Sequence, residues 1–136
     1  MEAVMRSDAL RVAKQNLAAY LETHDTRYVA KDAVFINKAT GERVAGREAI
    51  GKLLHNFYCV AFDGCPRITS QIITEDKAVI EGFFTGKHIG DFAGVPATGK
   101  IVTLPFCISY TLENGLIKEA RIYSPGDLLL RQLQDD

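Results

Sequence analysis

Apolar residues at Leu10, Val12, Ala13, Leu17, Ala18, Tyr20 and Leu21 recur close to the helical period, which predicts a first long helix with Ser7 as its N-cap. His24 and Asp25 interrupt this pattern, and a short helical turn is expected over 26–30. The run AVFIN (33–37) is β-rich and is closed by Ala39, Thr40 and Gly41, so it reads as a strand with a brief hairpin partner over 42–44. From Arg47 the pattern turns helical again. Ile50, Leu53, Leu54, Phe57, Tyr58 and Ala61 form one face, and Glu48, Lys52, His55 and Asn56 supply the other. This second long helix is expected to stop in the cluster Asp63-Gly64-Cys65-Pro66, because proline cannot continue a helix and biases its predecessor away from it.

The second half changes period. Residues 68–74, 78–88, 101–112 and 116–123 are rich in β-branched and aromatic side chains, with turns at Glu75-Asp76 and Asn114-Gly115. Four strands in succession predict an antiparallel meander. The longest connection is GDFAGVPATG (90–99), and Leu128, Leu129, Leu130 and Leu133 predict a closing helix capped by Asp127. Helices first and a long sheet afterwards is an α+β order. The expected architecture is a strongly curved antiparallel or mixed sheet, packed on the N-terminal helices and bent into a cone around a cavity.

Composition narrows the setting. A chain of 136 residues with 47% hydrophobic and 24% charged residues is expected to fold as one domain, 1–136, without metal or disulfide staples. Sixteen Lys and Arg against seventeen Asp and Glu leave no basic run that would neutralise a row of phosphates, so nucleic acid is not an expected partner. Nor is a membrane. The N-terminal residues lack the order of a secretory signal, and no apolar run approaches the roughly 20 residues that span a bilayer, so a cytoplasmic location is expected. Cys59, Cys65 and Cys107 are odd in number, without a CxxC pair, and read as reduced thiols, Cys107 as a small buried hydrophobe. No GxGxxG, P-loop or HExxH pattern is present, and neither a metal nor a cofactor is expected.

The segments AVFINKATGERVAGREAI (33–50), TGKHIGDFAGVPATGK (85–100) and GLIKEARIY followed by LLRQL resemble SnoaL-like polyketide cyclases within the nuclear transport factor 2-like fold. The likeness spans nearly the whole chain. It implies a cone, a homodimer and, in the cyclases and the related ketosteroid isomerases, cofactor-free proton transfer next to a carbonyl of an apolar ligand. It also implies where a carboxylate base would stand. Asn37 occupies the place where many relatives carry an aspartate, and Pro125 the place where cyclase-like relatives carry another. An amide does not take a proton at neutral pH, although it can hydrogen-bond a carbonyl.

His88 is then the candidate acid or base, at a strand end beside the glycine-rich loop, with Asp91 a second catalytic candidate in that loop. The bland alternative for His88 is a ring that bridges backbone groups of the loop, and for Asp91 a turn. The ligand-binding candidates are Asn37, Phe57, Tyr110, Glu119, Arg121 and Tyr123. Period two puts Ile117, Glu119, Arg121 and Tyr123 on one face of the last strand. If that face is the inner one, Glu119 and Arg121 form a buried pair beside the Tyr123 phenol. If it is the outer one, they form a solvated network. Tyr20, Tyr58 and Tyr110 lie on apolar stripes, where core packing is the ordinary role.

Two functions follow. One is a domain that binds an apolar small molecule, as a cyclase- or isomerase-type proton-transfer enzyme, with His88 and Asn37 facing one another across an open pocket. The other is a binding or dimerisation module, with Phe83, Phe84, Phe106 and Tyr110 filling the cone.

Overall fold

The computed structural model describes residues 2–134, with side chains from Asp8 onward. Helix α1 runs Glu2–Thr23, and a 3-10 turn, Thr26–Tyr28, leads into β1 (Val29–Asn37). A short strand β2 (Arg43–Ala45) precedes α2 (Arg47–His55), which loosens into a π-helical turn over Asn56–Ala61. The meander follows: β3 (Phe62–Ile73), β4 (Lys77–His88), β5 (Ile101–Glu113) and β6 (Leu116–Tyr123), closed by α3 (Gly126–Gln134). One mixed sheet of six strands has the order β2-β1-β6-β5-β4-β3, with β1 parallel to β6 and every other pair antiparallel. This is the expected α+β cone.

Several boundaries differ from the sequence pattern, each for a local reason. Helix α1 begins at Glu2, so Ser7 lies inside it and is not its cap; the Ser7 side chain lies outside the described residues. Asp25 caps the 3-10 turn instead, its carboxylate accepting the Arg27 N–H at 2.9 Å. The cluster Asp63-Gly64-Cys65-Pro66 belongs to β3. Pro66 is tolerated there because β3 is an edge strand, paired on one side only. Asp127 sits in the first turn of α3, which starts one residue earlier, and pairs with Arg131 at 3.6 Å. Cys107 is half-buried rather than buried.

Asn114 and Gly115 both take positive φ (53° and 77°) in the β5–β6 turn, as the mirror-image hairpin requires. Asn16 of α1 donates to the Gly115 carbonyl at 2.9 Å and ties the helix to that turn. At the other end of the sheet, β6 stops pairing at Tyr123 opposite Cys107, leaving 101–106 of β5 with an uncovered edge. Gln132 of α3 completes it: its amide accepts from the Thr103 N–H at 2.9 Å and donates to the Thr103 carbonyl at 2.8 Å.

The bend of the sheet is written in glycines. Gly64 pairs with Gly86 across β3 and β4, and Gly82 pairs with Ile68 and Phe106. A methyl group on Gly64 would stand 2.2 Å from the Thr85 carbonyl oxygen, and one on Gly82 2.2 Å from that of Arg67. Only backbone fits there. Gly64→Ala and Gly82→Ala are each expected to lower unfolding free energy by about 2 kcal/mol or more, whereas Gly126→Ala, whose methyl would meet nothing, should stay within about 0.5 kcal/mol. Urea denaturation checks this; equal midpoints for all three would show that the close approach is not a constraint.

Candidate functional site

The inner face of the sheet, α1 and α2 enclose a cavity of about 340 Å³. Its wall is mostly aromatic and aliphatic. Phe35, Ala120 and Ile122 come from β1 and β6, Phe84, Phe106, Ile108 and Tyr110 from β4 and β5, and Leu53, Leu54, Phe57 and Tyr58 from α2 and the π-helical turn. Phe92 reaches in from the long loop, where Ala93 and Gly94 turn the chain with positive φ and pair Phe92 with Val95. Few polar groups share the wall: Tyr20, His24, Asn37, Glu42, Tyr58, Tyr110 and Ser124.

Asn37, Phe57 and Tyr110 thus stand on the wall. The Asn37 Oδ1 accepts the N–H groups of Ala39 (2.9 Å) and Thr40 (3.4 Å), which shapes the β1–β2 turn. Its Nδ2 has no hydrogen-bond partner among the described residues, which leaves an unpaired donor on a wall residue.

Glu119, Arg121 and Tyr123 do not line the cavity. Ile117 is buried on the inner face, but the register between β5 and β6 shifts where Lys118 is bulged, so alternation restarts with Ala120 and Ile122 inward. Lys118, the extra residue, pairs with Asp32 of β1. On the outer face the Arg121 guanidinium donates to Glu119 (3.0 Å), Ser109 (3.0 Å) and Thr111 (3.1 Å), and Tyr123 is 47% exposed. This is the solvated network of the outer-face alternative. Phe83 also faces outward, unlike Phe84, Phe106 and Tyr110.

His88 is fully buried yet is not on the wall. Its ring lies behind Phe62 (centroids 5.3 Å apart), which in turn touches the wall rings of Phe57 and Phe92. Nδ1 accepts the Thr98 N–H at 3.1 Å and lies 2.9 Å from the Thr98 hydroxyl, and the His88 backbone exchanges bonds with Gly99 and Lys100. The ring therefore binds the far end of the loop to β4, while Nε2 has no partner among the described residues. Asp91 is exposed in the same loop and away from the wall.

The imidazole that does reach the cavity is His24. It ends α1 with φ 53°, its N–H donating to the Tyr20 carbonyl at 2.6 Å. Its ring stacks on Tyr58 (4.1 Å, 17°) and meets Tyr20 edge-on at 5.3 Å, and Tyr20 in turn meets Tyr110 at 6.2 Å. Burial lowers the His24 pKa from 6.5 to about 4, raises that of Tyr58 to about 12, and pushes those of Tyr20 and Tyr110 up as well. All four groups are neutral near pH 7. The sequence carried a signal for His24 that the interrupted pattern hid: it continues the stripe Leu17, Tyr20, Leu21 at the next helical position.

The family model of the SnoaL-like polyketide cyclases matches residues 11–133. Among solved structures, a chain from Jannaschia sp. CCS1 assigned to the SnoaL-like polyketide cyclases superposes with a TM-score of 0.82 at 16% identity, over 94% of this chain and 95% of that one. A chain from Xanthomonas campestris pv. campestris assigned as a polyketide cyclase gives 0.80 at 19% identity, covering 93% and 99%. TsrD from Streptomyces laurentii gives 0.74 at 20% identity, covering 93% and 96%. No curated protein matches in sequence. Among the described residues no helix is long and apolar enough to cross a membrane, and no cluster of metal-ligating side chains occurs.

The lowered His24 pKa has a defined sign in stability. Between pH 6.5 and 4 the unfolded chain binds the proton that the folded one refuses, so this contribution is full above pH 6.5 and declines as pH falls through that window. Denaturation between pH 7 and 4 should show a loss of up to about 3 kcal/mol that the His24→Asn variant lacks. Parallel pH profiles for the two proteins would contradict this.

Proposed function

Because the chain belongs to the SnoaL-like polyketide cyclase family, we propose that it binds a neutral, planar aromatic or polycyclic small molecule in its cone and carries out cofactor-free proton transfer on it. The observation that carries this reading is the open cavity itself. Its volume falls in the range of about 300–1,000 Å³ usual for small-molecule sites, and its apolar wall is punctuated by a few donors and acceptors that would orient a ligand. Aromatic rings at Phe57, Phe84, Phe106 and Tyr110 offer stacking and edge contacts to a flat guest.

A second reading, binding without catalysis, draws support from the polar inventory. The lining includes one carboxylate, Glu42, on an exposed turn, and the Asn37 position has no acid to offer. The two readings share the ligand and differ in turnover.

A homodimer belongs to the same proposal. Ile72, Val79, Phe83, Ile101 and Tyr123 are all exposed on the outer face of β3 to β6, where a second copy would cover them.

Titration of 2-naphthol, followed by its own fluorescence, should show saturable binding to the wild-type chain. Ala120→Leu, which fills the cavity from its fully buried floor, should weaken it by about tenfold or more while the protein stays folded. No saturation, or equal affinity in both, would remove the cavity as the binding site. Light scattering should give twice the 15.0 kDa chain mass, reduced to one chain by Phe83→Glu. A wild-type monomer would end the dimer proposal.

A further inference from the structure

We propose that His24 is the proton acceptor of the cavity, taking the α-hydrogen of a planar aromatic ketone while the phenols of Tyr20, Tyr58 and Tyr110 donate to the resulting enolate oxygen; this rests on the ligand-binding reading above.

The geometry points there on three counts. His24 is the imidazole on the wall, and it sits in a continuous ladder of rings, Tyr58–His24–Tyr20–Tyr110, drawn from the π-helical turn, α1 and β5. Neither of its ring nitrogens has a hydrogen-bond partner among the described residues, and neither is sealed within protein, unlike Nε2 of His88. None of the three phenol hydroxyls has a partner among the described residues either, and none is sealed, so acceptor and donors are all available to a guest. The turn out of α1 holds the ring in this place: with φ at 53° the chain leaves the helix at His24, and the backbone bond to Tyr20 fixes the step.

The charged surroundings are sparse. Glu42 lines the cavity from the β1–β2 turn, Asp25 is turned to Arg27 at 3.0 Å, and the remaining ionisable groups on the wall are the tyrosines. Desolvation therefore governs His24. A base whose conjugate acid has a pKa of about 4 matches an ordinary carboxylate in strength, so the imidazole meets the demand that the Asn37 position leaves open.

The step balances without a co-reactant. A ring nitrogen lone pair takes the α-proton, the C–H pair becomes the C=C bond, and the carbonyl π pair moves to oxygen, where the phenol O–H groups donate to it. The imidazolium then returns its proton to the same carbon, giving exchange, or to a conjugated one, giving isomerisation.

The test uses 2-tetralone in D₂O, with binding measured by NMR line broadening and α-proton exchange by loss of the C1 signal. The wild-type chain should bind and accelerate exchange above buffer, at a rate flat near neutrality and falling as pH drops through the His24 titration near 4. The His24→Asn variant keeps a residue that tolerates positive φ, so it should bind within about threefold and lose on the order of 100-fold in exchange. His55→Asn, on the exposed face of α2, should behave as wild type. Binding without exchange, or exchange unchanged in His24→Asn, overturns the role of His24 and leaves the ligand reading standing. Absence of any 2-tetralone binding overturns both. Should His24→Asn unfold, the wild-type profile decides: exchange that does not follow the His24 ring titration seen by NMR overturns the proposal.

Discussion

The missing side chains on the inner face of β4 govern the interior. Along that strand the inward positions run Ala78, Ile80, Gly82, Phe84, Gly86 and His88. At Gly82 the Phe106 ring lies 3.1 Å from where a methyl would be, and at Gly86 the Phe84 ring lies 2.7 Å from the same point. Two large rings thus rest on bare backbone instead of on side chains. The same absence lets β3 close on β4, since a methyl on Gly64 would stand 2.4 Å from the Gly86 Cα. Curvature and a smooth aromatic wall are consequences of one constraint, and a close-packed interior gives neither without it.

That wall sets the chemistry by desolvation. Burial acts on His24, Tyr20, Tyr58 and Tyr110 in the same direction, toward the neutral form, so His24 is left as an acceptor and the tyrosines as donors. A charged guest would leave water for a lining whose one charged group is Glu42, a poor exchange for either sign in the depth of the cone. On the proposed reading, solvation then favours a neutral ligand before any specific hydrogen bond is considered.

Much of this was legible in the residues. Strand β6 and the Asn114-Gly115 turn lie where alternation and turn chemistry put them, and the helix from Arg47 starts as its periodicity requires. The failures share one cause, that a local rule was overridden by what lay beside it. Pro66 and Gly64 read as a break because nothing local tells that β3 is an edge strand that tolerates the proline and packs its glycine against β4. Glu119 and Arg121 could not be assigned a face by period two, because a single bulged residue, Lys118, resets the alternation between Ile117 and Ala120. His24 read as the end of a helix pattern, since Tyr58, the ring it stacks on, is 34 positions away in sequence.

An open interior of this kind is itself an energetic statement. Were a cavity of about 340 Å³ dry and empty, it would cost about 8 kcal/mol, comparable to the whole stability of an ordinary domain. The chain has simple means to shrink it: Ala120 is a minimal, fully buried side chain on the wall, and Asn37 and Ser124 are small polar residues where larger apolar ones would fill space. Water relieves part of that cost only where it finds polar partners, and the wall offers few. An apolar occupant recovers the lost dispersion contacts along the whole aromatic surface, so the packing that leaves the cone unfilled and the chemistry that leaves its donors unpaired favour the same guest.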